Sequence, residues 1–142
     1  MKKIFFLFLA GSMNFLTGCS SDEQKAETKH FPKPGTVVAA AQMPVTDDPL
    51  NHFIFSVKVI ADSNVQSGVY DIDADFGPNF ATSQLTMPQG KEDLKPILRK
   101  GSEPYTYIIG FTLPGDTTFY EYFEVSSNRQ ATKMRYLKAY SF

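Results

Sequence analysis

Cys19 has the most distinctive chemistry in this chain, because it is the only cysteine among 142 residues. It closes a Leu-Thr-Gly-Cys sequence directly behind an apolar run over residues 4–16, and Lys2 and Lys3 precede that run. A basic start, an apolar stretch and small residues before a cleavage point are typical of a secretory signal. Because one cysteine cannot form a disulfide within its own chain, we expect its thiol to serve covalent modification.

These features resemble the signal peptide and lipobox of bacterial lipoproteins. The resemblance covers about the first 23 residues and implies removal of residues 1–18 and diacylglyceryl attachment at Cys19. Ser20 stands where an Asp would favour retention in the inner membrane, which implies sorting to the outer membrane. Asp22 and Glu23 resemble the acidic stretch of some surface-exposed Bacteroidetes lipoproteins, so periplasmic side and cell surface both stay open.

A retained membrane-spanning helix is the less favoured alternative for the leader. Its apolar run has 13 residues, whereas a spanning helix needs roughly 20. We therefore expect a membrane partner through lipid alone, with residues 19–35 as a lipidated tether stiffened by Pro32 and Pro34. The folded domain is predicted over residues 36–142, about one domain's worth of chain.

The charge balance argues against nucleic acid as a partner. The chain has 14 Lys and Arg against 15 Asp and Glu, and loss of Lys2 and Lys3 with the leader leaves an excess of three acidic groups. Proteins that bind nucleic acid concentrate positive charge on one face, and no basic run is present here.

Short aromatic and β-branched segments, separated by Gly, Pro, Asn, Asp or Ser, predict strands rather than helices. We therefore predict an all-β fold of about seven strands, an antiparallel β-sandwich, immunoglobulin-like or transthyretin-like, with a barrel as the alternative. Pro96 makes residues 91–100 ambiguous between an edge strand and a crossover with a helical turn. The predicted strands span residues 36–42, 52–61, 69–76, 80–87, 105–113, 118–125 and 131–140.

Alternation assigns the faces of two of these strands. One core set is predicted to comprise Phe53, Phe55, Val57 and Val59, and the other Tyr70, Ile72, Ala74 and Phe76.

The acidic residues Asp71, Asp73 and Asp75 lie on the opposite face of the strand and form only a weak metal candidate. Carboxylates on alternate positions resemble the start of a calcium loop, but such a loop needs Gly at its sixth position and Glu at its twelfth. Phe76 and Thr82 stand there instead. We expect a solvated acidic face, and neither a metal nor a cofactor.

The last three strands are predicted to form two hairpins, with a turn at Pro114-Gly115. An apolar match in the first hairpin would pair Phe111 with Phe119 and Tyr107 with Phe123. A two-residue second loop would pair Phe123 with Met134.

This register predicts a partly apolar outer face near Gly110. Tyrosine and arginine are enriched at the energetic centres of interfaces, so the face is a candidate surface for a partner or ligand. The alternatives are an ordinary sheet face, or one covered by a neighbouring ring or by residues 91–100. The candidate surface comprises Ile108, Tyr120, Tyr122, Arg135 and Leu137.

Nothing in the sequence indicates an active site. His30 falls in the tether and His52 at a strand start, so neither is placed beside a nucleophile or a second ligand. A pair of carboxylates could still act together, because such pairs are set by spatial separation alone.

We expect a non-catalytic, lipid-anchored protein that docks onto another envelope protein, as an accessory or assembly subunit of a membrane complex. The alternative is a lipoprotein that binds glycan or peptidoglycan through surface tyrosines.

Overall fold

The computed structural model of the protein describes residues 29–47, 49–90 and 94–142. Cys19, Ser20, Asp22, Glu23 and the predicted leader lie outside these ranges. The described residues form eight strands and a single turn of 3-10 helix at Val65–Ser67. The strands are β1 (Val37–Pro44), β2 (Ile54–Ala61), β3 (Val69–Phe76), β4 (Asn79–Thr86), β5 (Ile97–Lys100), β6 (Thr106–Phe111), β7 (Tyr120–Ser127) and β8 (Thr132–Tyr136).

The strands form two four-stranded antiparallel sheets, which confirms the predicted all-β sandwich. The order is β1-β2-β3-β4 in the first sheet and β5-β6-β7-β8 in the second. Each sheet is therefore a meander in chain order, which differs from the mixed strand order of immunoglobulin domains. The structure has one strand more than the seven predicted segments. The extra strand is β5, which lies in the ambiguous segment and forms an edge strand paired with β6.

The core lies between the two sheets and contains both predicted apolar sets. Phe55, Val57 and Val59 are fully buried from β2, and Phe53 packs against them half-buried. The ring of Phe55 lies 5.4 Å from that of Tyr107 on the facing sheet. Aromatic contacts of this kind fill the space between sheets that pack face to face.

The N-terminal segment joins the sandwich earlier than the predicted boundary at residue 36. Phe31 packs against the core, and the backbone N–H of Gly35 donates to the carbonyl of Ala61 at 2.8 Å. We call this end of the sandwich, with residues 62–68, 87–90, 94–96, 112–119 and 137–142, the entry end. The opposite end carries the described residues of the 45–53 loop and the 77–78, 101–105 and 128–131 loops, and we call it the distal end.

Both predicted hairpins are present, and the Pro114-Gly115 turn is confirmed. The N–H of Asp116 donates to the carbonyl of Leu113 at 3.0 Å, and Gly115 has the positive φ of 75° that the turn requires. The predicted register is nevertheless wrong in both hairpins.

In the first hairpin Phe111 pairs with Tyr120 and Tyr107 with Val125, one and two residues away from the predicted partners, and the register shifts between Ile109 and Gly110. The shift leaves Tyr122 as an extra residue in β7, which is a β-bulge.

In the second hairpin Phe123 pairs with Tyr136, and Met134 pairs with Val125. The loop is longer than predicted because the side-chain Oδ1 of Asn128 accepts from the backbone N–H groups of Gln130 and Ala131 at 2.8 and 2.9 Å. This register differs from the predicted one by two residues, so it preserves the inward side of Phe123.

Candidate functional surface

The structure distributes the five residues of the predicted surface over two sides of the second sheet. Ile108 lies on the outer side, where its ladder neighbours are Arg99 and Glu124. It is only 8% exposed. Arg135 lies on the same side and is largely exposed, with its Nε donating to Oε1 of Glu124 at 2.9 Å.

The outer side near Gly110 is covered from within the chain. The ring of Phe119 lies so close that a Cβ atom on Gly110 would approach it to 2.6 Å. The guanidinium carbon of Arg99 lies 4.3 Å from the centre of the same ring, which is a cation–π contact. A neighbouring ring and a side chain of β5 therefore occupy the space that a partner would need there.

Tyr120 and Tyr122 pack towards the core, because the bulge at Tyr122 changes the side on which the start of β7 points. The ring of Tyr120 stacks on Phe111 at 5.4 Å with an interplanar angle of 9°. Tyr122 meets Phe111 edge-on at 6.1 Å. Leu137 is half-buried beside Tyr122, and its N–H donates to the Tyr122 carbonyl at 2.8 Å.

The tyrosine hydroxyls of this region are engaged in bonds within the chain. Tyr120 donates to Oδ2 of Asp116 at 2.8 Å, which raises the pKa of the tyrosine. Hydrogen bonds from Thr118, and then the bond from Tyr120, lower the pKa of the Asp116 carboxyl. The Tyr122 hydroxyl donates to the carbonyl of Thr86 at 2.9 Å, and burial raises its pKa. Tyr140 donates to the carbonyl of Glu121 at 2.9 Å. These hydroxyls therefore join strands and loops within the chain.

Asp71, Asp73 and Asp75 share the outer side of the first sheet, as predicted. Asp73 pairs in the ladder with Lys58, and Asp71 accepts from the side-chain amide of Gln84 at 3.3 Å. Within the described ranges, no group of three or more His, Cys, Asp or Glu residues is arranged to hold a metal ion.

The two histidines lie at opposite ends of the sandwich, and both are exposed. His30 borders a recess of about 320 Å³ at the entry end, whose floor includes Phe31, Met87 and Leu94. His52 stands at the distal end with a positive φ of 48°.

Sequence reasoning missed a polar cluster at the distal end. The hydroxyl of Tyr105 donates to Oδ1 of Asp47 at 2.6 Å and accepts from the backbone N–H of Thr46 at 3.0 Å. The guanidinium of Arg129 donates to the carbonyl of Asp47. These bonds tie the 45–53 loop to two loops of the second sheet. No short-range motif could reveal them, because 58 positions separate Tyr105 from Asp47.

No helix within the described ranges is long and apolar enough to cross a membrane. Comparisons with protein-family models, curated proteins and solved structures found no match to this chain.

Proposed function

We propose that this chain is a lipid-anchored, non-catalytic envelope protein that docks onto another protein, as an accessory or assembly subunit of a membrane complex. The observation that carries the proposal is the Leu-Thr-Gly-Cys sequence ending at Cys19, placed ahead of a segment that docks on the sandwich at Phe31. In this proposal the lipid inserts in the outer membrane, on its periplasmic or its outer side.

The short distance along the chain limits how far the sandwich can lie from the membrane. Fully extended, the residues between Cys19 and Phe31 span about 40 Å, at roughly 3.3 to 3.6 Å per residue. In this proposal the sandwich therefore stays within that distance of the membrane, and its distal end and the outer sides of both sheets are accessible to other proteins. Two or more acyl chains are needed for stable anchoring, which lipobox processing would supply.

We favour a protein over a glycan as the partner because of how the tyrosines are packed. Sugar binding by aromatic residues needs a free ring face and nearby polar groups that are not already bonded. The Tyr120 face is stacked on Phe111, and the Tyr122 hydroxyl is bonded to Thr86. A non-catalytic role agrees with the engagement of Asp47 and Asp116 in bonds that hold loops.

Crosslinking in intact cells, followed by purification of the full-length protein in mild detergent, tests the docking function. We expect one stoichiometric partner with the normal protein and a marked loss of that partner with Cys19→Ser, which removes the lipid acceptor. Recovery of the protein alone under all crosslinking conditions would contradict the docking function, while equal recovery with Cys19→Ser would contradict the need for the anchor.

A further inference from the structure

Strands at the edges of sheets expose unpaired backbone groups, and most proteins protect them with charge, proline, bulges or short length. Three of the four edges in this sandwich carry such protection. Strand β1 contains a register irregularity near Val37 and ends in Pro44. Strand β5 has only four residues and includes Arg99 and Lys100. Strand β8 has five residues and includes two cations.

Strand β4 (Asn79–Thr86) is the exception among the described edges. It has eight residues, Asn-Phe-Ala-Thr-Ser-Gln-Leu-Thr, with neither a charged side chain nor a proline. Its ladder with β3 is continuous from Asn79 to Thr86, so no bulge bends this edge away. A long, uncharged, regular edge is the form of edge that accepts an additional strand.

Two observations identify which backbone groups of β4 point outwards. The N–H of Met87, just beyond β4, donates to the carbonyl of Gly68 at 2.9 Å, on the β3 side. The N–H and carbonyl of Thr86 instead bond the hydroxyls of Tyr136 and Tyr122, at 3.1 and 2.9 Å. Because residues alternate between the two sides of an antiparallel strand, the even-numbered residues of β4 face outwards.

The outward backbone groups of Thr86 are thus already bonded to two tyrosines. Phe80, Thr82 and Gln84 present their N–H and carbonyl groups at the open edge. Among the described residues no backbone bond outside the ladder reaches these three. Phe80 is also 61% exposed on the outer side of the sheet.

We propose that the open edge of β4 binds an extended segment of the partner protein as a fifth strand of the first sheet, and that this segment carries basic side chains at alternate positions. The inference rests on the proposed docking function and names its surface. Main-chain hydrogen bonds from the added segment to Phe80, Thr82 and Gln84 fix its register against β4.

The charge of the added segment follows from the neighbouring strand. Asp71, Asp73 and Asp75 lie on the outer side of β3, with Lys58 as the ladder neighbour of the central one. An added strand would lie about 10 Å from β3, two strand spacings away. A lysine or arginine opposite the short side chain of Thr82 can extend across it towards Asp73, which is its ladder partner.

The same arrangement disfavours a second copy of this chain as the occupant. The β4 strand of a second copy has no cation to offer the three carboxylates.

The test uses the purified full-length protein and a short capped peptide of alternating threonine and lysine, with binding followed by amide NMR and hydrogen exchange. We expect the amides of Phe80, Thr82 and Gln84 to exchange rapidly in the free protein and to become protected by the peptide. Replacing the peptide lysines with glutamate, or N-methylating the lysine amides, which face β4 when the peptide adds antiparallel with its lysines opposite Phe80, Thr82 and Gln84, should each weaken binding about tenfold or more, as loss of one to two net hydrogen bonds or charge contacts predicts.

Matched variants locate the binding on β4. Thr82→Pro removes an outward N–H without removing a bond to β3, and should abolish peptide binding. Thr82→Ala keeps the N–H and should bind within about twofold of the normal protein, a difference of less than 0.5 kcal/mol. If Thr82→Pro does not fold, the N-methylated peptide gives the same information with the protein unchanged.

Absence of peptide binding at millimolar concentration, or binding that survives Thr82→Pro, would overturn the β4 assignment. Protection of the same amides through self-association would overturn it in favour of a second copy. The cellular crosslinking experiment separates this failure from failure of the docking function. If a partner is recovered equally with the normal protein and with Thr82→Pro, the docking function stands and the β4 binding surface is ruled out. If no partner is recovered with either protein, the docking function itself is ruled out.

Discussion

Gly110 is a residue at which backbone and ring leave no room for a side chain. A Cβ atom there would collide with the carbonyl oxygen of Tyr120 and approach the Phe119 ring to 2.6 Å. The ring could rotate away, but only by giving up its contact with Arg99. The carbonyl belongs to the bulged end of β7 and can move only if the strand moves.

We therefore expect Gly110→Ala to lower the free energy of unfolding by about 3 kcal/mol, as overpacking of a closed site does. Urea unfolding followed by circular dichroism measures the change. Gly115→Ala is the matched control, because the space around Gly115 is open and only its positive φ opposes a side chain. It should cost about 1 kcal/mol. Equal losses for the two variants would show that neither the Tyr120 carbonyl nor the Phe119 ring closes the site.

The hydroxyl of Tyr105 makes several of the hydrogen bonds that connect loops at the distal end. The residue has a positive φ of 48°, a strained conformation for a non-glycine residue, and its ring packs against Phe76 at 5.2 Å. The hydrogen bonds of its hydroxyl with Asp47 and Thr46 connect this strained position to the 45–53 loop.

Tyr105→Phe should lower the free energy of unfolding by about 2 kcal/mol, since it removes a bond to a carboxylate and leaves the N–H of Thr46 without that acceptor. Asp47→Asn keeps an acceptor at the same place and should cost less. Thermal or urea unfolding gives both values, and amide exchange of Thr46 should accelerate only in the first variant. An unfolding free energy unchanged by Tyr105→Phe would mean that water replaces the hydroxyl at no cost.

At the scale of elements, Tyr122 connects the end of β4 to the second sheet. Its hydroxyl donates to Thr86, and burial raises its pKa above the ordinary value of 10.0. A raised pKa in the folded state means that the folded state holds the tyrosine proton more tightly than the unfolded state does. The resulting stability is fully present below about pH 10 and is lost as the pH rises through the folded-state pKa.

Tyr122→Phe should therefore cost about 1 kcal/mol at neutral pH, where one hydrogen bond is lost. It should also make the decline in stability above about pH 10 shallower than in the normal protein, because one of the tyrosines with a raised pKa is gone. Urea unfolding at a series of pH values measures both effects. An identical alkaline decline in the two proteins would contradict the coupling between Tyr122 ionisation and folding.

Strand positions and the core could be predicted from the sequence because each depends on local signals. Alternation placed Phe55, Val57 and Val59 inwards, and Gly, Pro and Asn marked the strand ends, so β2, β3 and β4 fall within two residues of their predicted bounds. The predicted pairing of β6, β7 and β8 was wrong because the pairing depends on a bulge and on hydrogen bonds that the side-chain oxygen of Asn128 accepts. Neither leaves a signal in the hydrophobic pattern.

The candidate surface was less predictable than the strands for the same reason. One extra residue at Tyr122 reverses the side on which Tyr120 points, and with it the expected aromatic face. Recognising β4 as an open edge also requires the strand order, which long-range packing decides. The motif at Cys19, in contrast, lies outside the described residues and stays a prediction from the sequence.

At the scale of the whole molecule, the chain enters at one end of the sandwich, and strand β4 runs from the distal end to the entry end along the side of the first sheet. In our proposal a partner strand is added alongside β4, with its basic side chains towards Asp71, Asp73 and Asp75.

The mass of the N-terminal peptide, measured on protein isolated from the membrane fraction, tests whether Cys19 carries the lipid. We expect a peptide that begins at Cys19 and carries diacylglycerol on its sulfur, with that species missing in Cys19→Ser. An intact leader, or a free thiol at Cys19 in protein recovered from the soluble fraction, would contradict it.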